Sequence, residues 1–554
     1  MQVVGTELVV QGNALGMKVH GQVSTPEAML VGLVERQFLQ GNDVELTMAA
    51  RFKEFCKHFR VQNLVGNGTG YAIVDGTGAT RHCPPLRRVE CVDRDVAVSK
   101  IRNRIGRAKM QDYVKRRQTL RERHTMVTNF VKTQEALFEL KAARVISDVS
   151  EGDKYDIIGA VQACTEMYKE ALEQVGIFNV DVPEEEKFYS SFYPASAKYR
   201  FSADFSKFDG SIKGIMKKIV VEMLAECVAD DRDAVEAFNR LLFSKGVYMK
   251  TLGGITFRIV CFWLATTLSG GMGTTLENTL LSRLVFLFAI WYAVAKLRDP
   301  NLPATKFVNG EEVPVIYGNV ATKGDDCHGY VTVENEDGKL KESMEEVFCA
   351  LGFNIKLVEE NPGCFTFCSA KWVEVDDGVV KKFVLPGRIL IRLPLHVPAT
   401  ALGGRKADTM GVCKALSACF ECKGQPVVQE YALMQLRITS YRLRMRSYLM
   451  GGAERLIGHE VTHNKELRMK LERQGICPDD LPDFYSQYLR GNLKIREPIT
   501  PNIRSAWADT FGVEPTEQEY VEKFFSNVDE ATGTHMSVRD PRVADALSLL
   551  AKII

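Results

Sequence analysis

The sequence lacks several features that would assign it to a class at once. It has no GxxxxGK[ST] phosphate loop, no internal repeat and no low-complexity segment. Its 14 cysteines follow no regular spacing and no signal segment opens the chain, so we expect reduced thiols in a cytosolic protein. These absences argue against a P-loop helicase, a repeat protein and a disulfide-built secreted domain.

The chain also has no apolar run of membrane-spanning length. Its most apolar stretch, residues 284–295, is too short to cross a bilayer and is flanked by Arg283 and Lys296. A helix that is apolar on all sides is typical of the interior of a large domain. We therefore expect a buried core helix and no transmembrane segment.

The overall composition is ordinary, with 45% hydrophobic and 25% charged residues in 554 positions and a formal net charge of +1. Two local patterns need a choice between interpretations. The glycine-rich run at residues 66–78 is followed by a strand-like segment and predicts hairpin turns, because a dinucleotide fingerprint needs a helix there. Cys419 and Cys422 form one CxxC pair without a second ligand pair, which favours buried structural cysteines over a zinc site.

Positive charge is concentrated in two segments. Residues 100–124 hold ten cations and two acids, a local charge of +8, and a second basic strip follows at Arg437, Arg442, Arg444 and Arg446. A charge run is most often a solvated surface or a localisation signal. In a nearly neutral protein it also marks where a polyanion such as RNA could lie.

Acidic residues stand at two turns. In YRFSADFSKFDGSI, residues 199–212, an alternating segment runs into Asp204, and Asp209 follows five residues later. In VPVIYGNVATKGDDCHGYVTVEN, residues 313–335, two β-rich arms flank Gly324, Asp325 and Asp326, which predicts a hairpin with two carboxylates at its tip. Adjacent carboxylates repel, so a nearby cation would keep both ionised. Plain turn chemistry is the alternative for each segment, and roughly 0.1–0.2 GDD triplets are expected by chance in a chain this long.

Between these segments lies LSGGMGTTLENTLLSR, residues 268–283. Its glycines form a pliable loop that enters a helix on which Thr274 and Asn278 share one face. Such a helix start can present donors to a sugar or a phosphate. A glycine-rich turn into the core helix is the alternative.

Together the three segments resemble the palm domain of viral RNA-dependent RNA polymerases. In that family motif A is D-x4-D, motif B is SG-x3-T-x3-N and motif C is GDD. The matching residues, in the family's order, are Asp204 and Asp209; Ser269, Gly270, Thr274 and Asn278; Gly324, Asp325 and Asp326. Each motif is weak alone, and the ordered set carries the resemblance.

Weaker similarities flank the palm motifs. Lys141 and Arg144 resemble the basic motif F, which guides the triphosphate, and Lys356 stands in the place of motif D, whose lysine suits protonation of the pyrophosphate leaving group. FTFCSAKWV, residues 365–373, looks like motif E of noda- and tombus-like polymerases, with Phe367 and Cys368 at its centre. The sequence ADFSKFDG in motif A resembles that of the same noda-/tombus-like group. The resemblance spans roughly residues 130–400.

The resemblance implies template-directed RNA synthesis from NTPs by a two-metal mechanism in viral genome replication and transcription. Asp204, Asp325 and Asp326 are then the catalytic metal ligands for Mg²⁺, with Mn²⁺ as a substitute, and Lys356 is a candidate general acid. The residues expected to bind the nucleotide are Lys141, Arg144, Asp209, Ser269, Gly270, Thr274 and Asn278. The ribose 2′-hydroxyl is the group that Asp209 and motif B would read.

Two other functions are compatible with part of the sequence. A reverse transcriptase-like polymerase usually has an aromatic-x-Asp-Asp hairpin, whereas Lys323 and Gly324 precede the aspartates here. A non-catalytic RNA-binding replication protein would explain the basic segments but not the three motifs. Implied partners are the RNA template and product duplex, NTPs and other viral replication proteins, and the implied location is the host cell cytoplasm, including membrane-associated replication sites.

The implied fold is α+β, a right hand of fingers, palm and thumb, with an antiparallel palm sheet backed by helices and a mainly helical thumb. We expect an N-terminal extension and part of the fingers at 1–95 and fingers at 96–198. The palm is expected at 199–385, with a fingers segment between motifs A and B, and the thumb and C-terminal tail at 386–554.

Overall fold

The structure is a computed structural model, and several segments of the chain lie outside what it describes. The described residues are 6–8, 19–21, 24–38, 43–63, 66–75, 77–99, 108, 111, 125–132, 136–137, 142–171, 182–192, 197–212, 214–334, 339–361, 363–376, 378–393, 404–450 and 495–528. Nearly all of the basic segment 100–124 lies outside them, as does Lys141.

The described chain mixes helices and strands. The helices are Pro26–Leu33, Leu46–Lys57, Arg94–Ser99, Glu151–Ala171, Val182–Phe192, Phe208–Ser211, Ile215–Cys227, Arg232–Arg240, Thr274–Lys296, Leu340–Ala350, Pro386–Arg392, Gly404–Glu421, Val428–Met450, Pro501–Phe511 and Pro515–Ser526, with a π-helical turn at Val34–Phe38. The strands are β1 Thr6–Leu8, β2 Val19–Gly21, β3 Tyr71–Val74, β4 Thr80–Cys83, β5 Thr125–Val131, β6 Ala136–Leu137, β7 Val145–Val149, β8 Tyr199–Phe205, β9 Phe243–Leu252, β10 Ile255–Leu264, β11 Thr305–Val308, β12 Glu311–Ile316, β13 Gly318–Lys323, β14 Asp326–Val331, β15 Ile355–Glu359, β16 Cys364–Phe367, β17 Ala370–Asp376 and β18 Val379–Val384.

These strands form five small sheets. Their orders are β1-β2-β6, β10-β9-β5-β7, β11-β12-β3-β4, β13-β14-β8-β15 and β16-β17-β18. Pairing is antiparallel except between β5 and β9 and between β3 and β12, which are parallel. The α+β class with an antiparallel central sheet is therefore confirmed.

The core helix, Thr274–Lys296, organises the largest hydrophobic core. It carries Glu277 in its first turn and Lys296 in its last, the placement that the helix dipole favours. By length and composition it is the one described helix that could cross a membrane, but 83% of its most apolar window is buried in the protein. Phe286 and Phe288 are fully buried, and truncating such a side chain to alanine typically costs about 3–5 kcal/mol. The predicted buried core helix is confirmed.

All the regular elements described after residue 385 are helices, as the sequence pattern predicts. Its helices bury their own apolar cluster around Trp507 and Leu436. Cys419 and Cys422 lie in this cluster and are fully buried, in keeping with structural cysteines. In the N-terminal part of the chain, β3 lies within the glycine-rich run at 66–78 and pairs antiparallel with β4, which follows it. This pairing confirms the predicted hairpin.

Candidate active site

The sheet β13-β14-β8-β15 places the predicted carboxylates together at one end of its two central strands, β8 and β14. Motif A forms β8, an alternating strand whose exposed Asp204 is its penultimate residue. On one side β14 pairs with β8 so that Cys327 lies opposite Ala203, and continuing this register by one residue brings Asp326 level with Asp204. On the other side Lys356 of β15 lies directly opposite Asp204. Opposed residues of neighbouring strands share a face of the sheet, so Lys356, Asp204 and Asp326 project to the same side.

The GDD segment forms the tip of the hairpin between β13 and β14, with Lys323 paired to Asp326 across a two-residue turn. Gly324 has a φ of +68°, a left-handed backbone that a glycine adopts without steric cost. Two side chains of the core helix hydrogen-bond to the backbone of this tip. The Thr279 hydroxyl accepts a hydrogen bond from Gly324 N at 2.9 Å, and the Ser282 hydroxyl donates to Gly324 O at 2.7 Å.

Negative charge accumulates at the hairpin tip. Burial, with repulsion from Asp325 and Asp204, raises the pKa of Asp326 to about 6, although Lys323 and Arg388 oppose the rise. The crowding of protein around Asp325 raises the pKa of that carboxyl too, and Asp204 adds to the effect while Arg144 counteracts it. Carboxylates that raise one another's pKa in this way form a site whose negative charge the fold does not balance.

Asp209 and Asn278 connect motif A to motif B. After β8 the chain turns through Lys207, which has a φ of +54°, into the short helix Phe208–Ser211 that carries Asp209. Asn278 Nδ2 donates to Asp209 Oδ1 at 2.7 Å. The other amide atom, Asn278 Oδ1, is buried and has no hydrogen-bond partner among the described residues. An acceptor left open beside the carboxylates is suited to a ligand hydroxyl.

The motif B loop is attached to strand β7. Gly270 N donates to Ser147 O at 3.1 Å, and Ser269 Oγ accepts from Ser147 N at 3.2 Å. A Cβ on Gly270 would lie 2.8 Å from the backbone of Asp148, so only glycine allows this approach. The Thr274 hydroxyl donates within the loop to Leu268 O at 2.6 Å. Ser269, Gly270 and Thr274 thus shape the loop in this structure.

The remaining predicted residues fall around the same site. Arg144 is exposed, just before β7, and its charge opposes the rise in pKa of both Asp209 and Asp325. Phe367 and Cys368 lie at the turn between β16 and β17, where Cys368 and Ser369 both have positive φ. Burial, followed by the charge of Asp326, raises the pKa of the Cys368 thiol to about 12, so this turn lies beside the carboxylates.

Several residues near the site carry no sequence signal that would have identified them. Arg388 is exposed on the helix Pro386–Arg392, 62 positions after Asp326, and its charge nevertheless acts on that carboxylate. Thr279 and Ser282, which hold the hairpin tip, follow motif B on the core helix, but nothing local indicates their partners. Only the folded chain brings these residues together.

The carboxylates offer hard oxygen donors, the type that Mg²⁺ prefers. Within the described residues no group of three or more His, Cys, Asp or Glu side chains is already gathered as a metal cage. Magnesium is usually bound through one or two carboxylates together with substrate phosphates and water, so a cage is not required. The unbalanced charge at Asp204, Asp325 and Asp326 therefore fits a divalent cation that enters with a phosphate ligand.

Comparison with known proteins defines the class. The model of the viral RNA-dependent RNA polymerase family matches residues 164–400, which contain motifs A, B and C. The solved RNA-dependent RNA polymerase of a human picobirnavirus is similar over 84% of this chain and 82% of its own, with 12% identity and a TM-score of 0.50. An insertion-loop deletion mutant of that enzyme covers 85% and 80%, with 12% identity and a TM-score of 0.45. The curated proteins contain no match.

The fold is therefore the right-hand fold of viral RNA polymerases, as the sequence motifs predicted. The protein is an RNA-directed RNA polymerase, a nucleotidyltransferase that copies an RNA template in viral replication. The alternatives of a reverse transcriptase-like enzyme and a non-catalytic RNA-binding protein are not supported.

Proposed function

We propose that RNA synthesis takes place at Asp204, Asp325 and Asp326, and that these carboxylates bind Mg²⁺ or, in its place, Mn²⁺. The observation that carries this proposal is the shared row of Asp204 and Asp326 on neighbouring strands, with Asp325 at the adjoining turn and a pKa of Asp326 near 6. When bound, the divalent ions would lower the barrier to attack by the RNA 3′-hydroxyl and balance the charge of the departing pyrophosphate.

The protein's own residues would position the nucleotide. Arg144 would face the triphosphate, because its charge already acts on Asp209 and Asp325. Lys141 would assist it, although Lys141 lies outside the described residues. Lys356, opposite Asp204 and exposed, would donate a proton to the pyrophosphate leaving group.

The ribose would be read by Asp209 and Asn278. The open Asn278 Oδ1 would accept the 2′-hydroxyl, and a deoxynucleotide would leave that buried acceptor unsatisfied. Ser269, Gly270 and Thr274 would support this pair by holding the loop against β7. Preference for NTPs over dNTPs follows from the unsatisfied acceptor.

The wider assignments extend this proposal. The motif A sequence ADFSKFDG and the segment around Phe367 and Cys368 support assignment of the polymerase to the noda-/tombus-like group. The division into an N-terminal extension at 1–95, fingers at 96–198, palm at 199–385 and thumb with tail at 386–554 is proposed with it. So are the RNA template and product duplex, NTPs and other viral replication proteins as partners, and the host cell cytoplasm, including membrane-associated sites, as location.

The decisive variant is Asp325→Asn, which keeps the size of the side chain and removes its charge. We expect template-directed elongation with Mg²⁺ and NTPs to be lost, while binding of a labelled RNA template stays within about twofold of the wild type. Asp230→Asn, whose carboxylate contacts Arg88 at 3.5 Å on the protein surface, is the matched control for loss of an aspartate charge elsewhere. Elongation by Asp325→Asn at the rate of the control would refute the catalytic assignment.

A further inference from the structure

Next to Asn278 in the chain is Glu277, which forms a buried ion pair with Lys217, and neither residue is among the defining residues of the palm motifs. Lys217 Nζ donates to Glu277 Oε2, and the two side chains are only 4% and 5% exposed. Two opposite charges buried together are costly to separate, so they hold the segments that carry them in one arrangement.

The ion pair joins the core helix to the helix that follows the one carrying Asp209, close to the Asp209–Asn278 hydrogen bond in the chain. Lys217 is the third residue of the helix Ile215–Cys227, the next helix in the chain after the short helix of Asp209. Glu277 immediately precedes Asn278 on the core helix. A hydrogen bond therefore connects motif A to motif B, and a salt bridge connects the helix that follows motif A to the residue next to Asn278.

A glycine makes room for this arrangement. A Cβ on Gly273 would lie 3.2 Å from Glu277 Oε1, so a larger residue would press on the carboxylate. Glu277 N donates to Gly273 O at 2.9 Å, which fixes the first turn of the core helix under the motif B loop. The position of Glu277, and with it that of Lys217, is set by the loop that precedes Asn278.

The charge of Lys217 also reaches the site. Burial raises the pKa of Asp209, and the hydrogen bond from Asn278 and the positive charges of Lys217 and Arg144 oppose that rise. An ionised Asp209 can only accept hydrogen bonds, which keeps Asn278 Nδ2 turned toward it. Asn278 Oδ1 then faces away from Asp209 as an acceptor.

We propose that Lys217 and Glu277 are positioning residues for sugar selection, since they fix the Asp209–Asn278 pair before a nucleotide binds. The inference rests on the proposed role of Asp209 and Asn278 in reading the ribose. It assigns to this buried ion pair a function in substrate discrimination, in addition to its contribution to the fold.

The test replaces both charges together. Lys217→Met with Glu277→Met removes the ion pair and fills the space with unbranched apolar side chains, which adapt well to irregular cores. On an RNA template with Mg²⁺, the preference for ATP over dATP in kcat/KM should fall by about tenfold. The loss should come from a higher KM for ATP, with kcat for ATP and kcat/KM for dATP changing less than threefold. The single variant Lys217→Arg, which keeps the positive charge opposite Glu277, should retain most of the preference for ATP.

The matched control is Arg504→Met, which breaks another largely buried pair, with Glu522 at 2.8 Å, in the C-terminal helices. It should lower thermal stability without changing the preference for ATP. An unchanged preference in the double methionine variant would overturn the inference. Should that variant not purify folded, Lys217→Gln with Glu277→Gln decides in the same way, because it removes both charges and leaves two amides that can hydrogen-bond each other. Loss of elongation in Asp325→Asn together with an unchanged preference in the double variant refutes only the inference, whereas elongation by Asp325→Asn refutes the proposed function itself.

Discussion

Two groups of charged residues in the same region of the fold are built in opposite ways. Lys217 and Glu277 are buried, adjacent and matched in charge. Asp204, Asp325 and Asp326 share a sign, and each raises the pKa of a neighbour or has its own raised. The matched pair satisfies itself inside the fold, whereas the carboxylates remain costly until something positive joins them.

This difference separates structure from chemistry without reference to any motif. A balanced buried pair contributes to the arrangement of its segments, and breaking it leaves a charge without compensation. A cluster of like charges at the end of the strands is stabilised when a cation binds. Repulsion among its carboxylates in the free protein therefore indicates a binding site. Substitutions in the two groups should therefore have opposite effects on stability and on activity.

The largest effect is expected at the unbalanced cluster. Asp204→Asn should lower the rate of nucleotide incorporation by at least about a thousandfold, because it removes charge that acts on the transition state. The melting temperature in the absence of metal should stay the same or rise, since repulsion with Asp325 and Asp326 is relieved. Single-turnover extension and thermal unfolding of one preparation measure both. A variant that loses stability along with activity would contradict the comparison.

The balanced pair should show the reverse pattern. Lys217→Met alone leaves Glu277 buried without a partner and should destabilise the protein by about 3–5 kcal/mol. The double methionine variant should recover most of that loss, because a well-packed apolar pair replaces a buried ion pair at little cost. Thermal unfolding of the two variants side by side is the measurement. Equal losses in both would mean that the ion pair contributes nothing beyond packing.

The smallest effect concerns pH and Asp326. Its folded pKa of about 6 lies above the value near 3.9 of an unfolded aspartate, so the folded protein binds more protons between these values. The contribution of Asp326 to the free energy of unfolding without metal should therefore fall as pH rises from about 4 to 6 and stay low above that. Asp326→Asn lacks this loss and should exceed the wild type by about 1–2 kcal/mol at pH 7.5, a figure reduced for partial exposure. Melting curves at pH 4 and pH 7.5 test the sign, and a variant less stable than the wild type at pH 7.5 would reverse it.

The sequence was sufficient where the signal is local. The hairpin at Gly324 follows from two β-rich arms around a glycine, and the core helix follows from its continuous apolar pattern. Asp204 was identified because a strand and a turn adjoin it in the chain. In each case the residues that determine the structure are close in sequence.

What the sequence did not reveal depends on distant pairing. Lys217 and Glu277 are 60 positions apart, and no periodicity links an ammonium to a carboxylate across that separation. Arg388 acts on Asp326 only because the helix that carries it folds back toward the hairpin. The Thr274 hydroxyl was expected to contact a nucleotide, and in the structure it donates to Leu268 O, a partner that depends on the loop's conformation.

The most direct test of the central claim is primer extension by the wild-type protein on an RNA template, with NTPs or dNTPs, and with Mg²⁺ or a chelator. We expect extension that requires Mg²⁺, prefers NTPs and disappears in Asp325→Asn. Extension that persists in the chelator, or that proceeds faster with dNTPs, would contradict it.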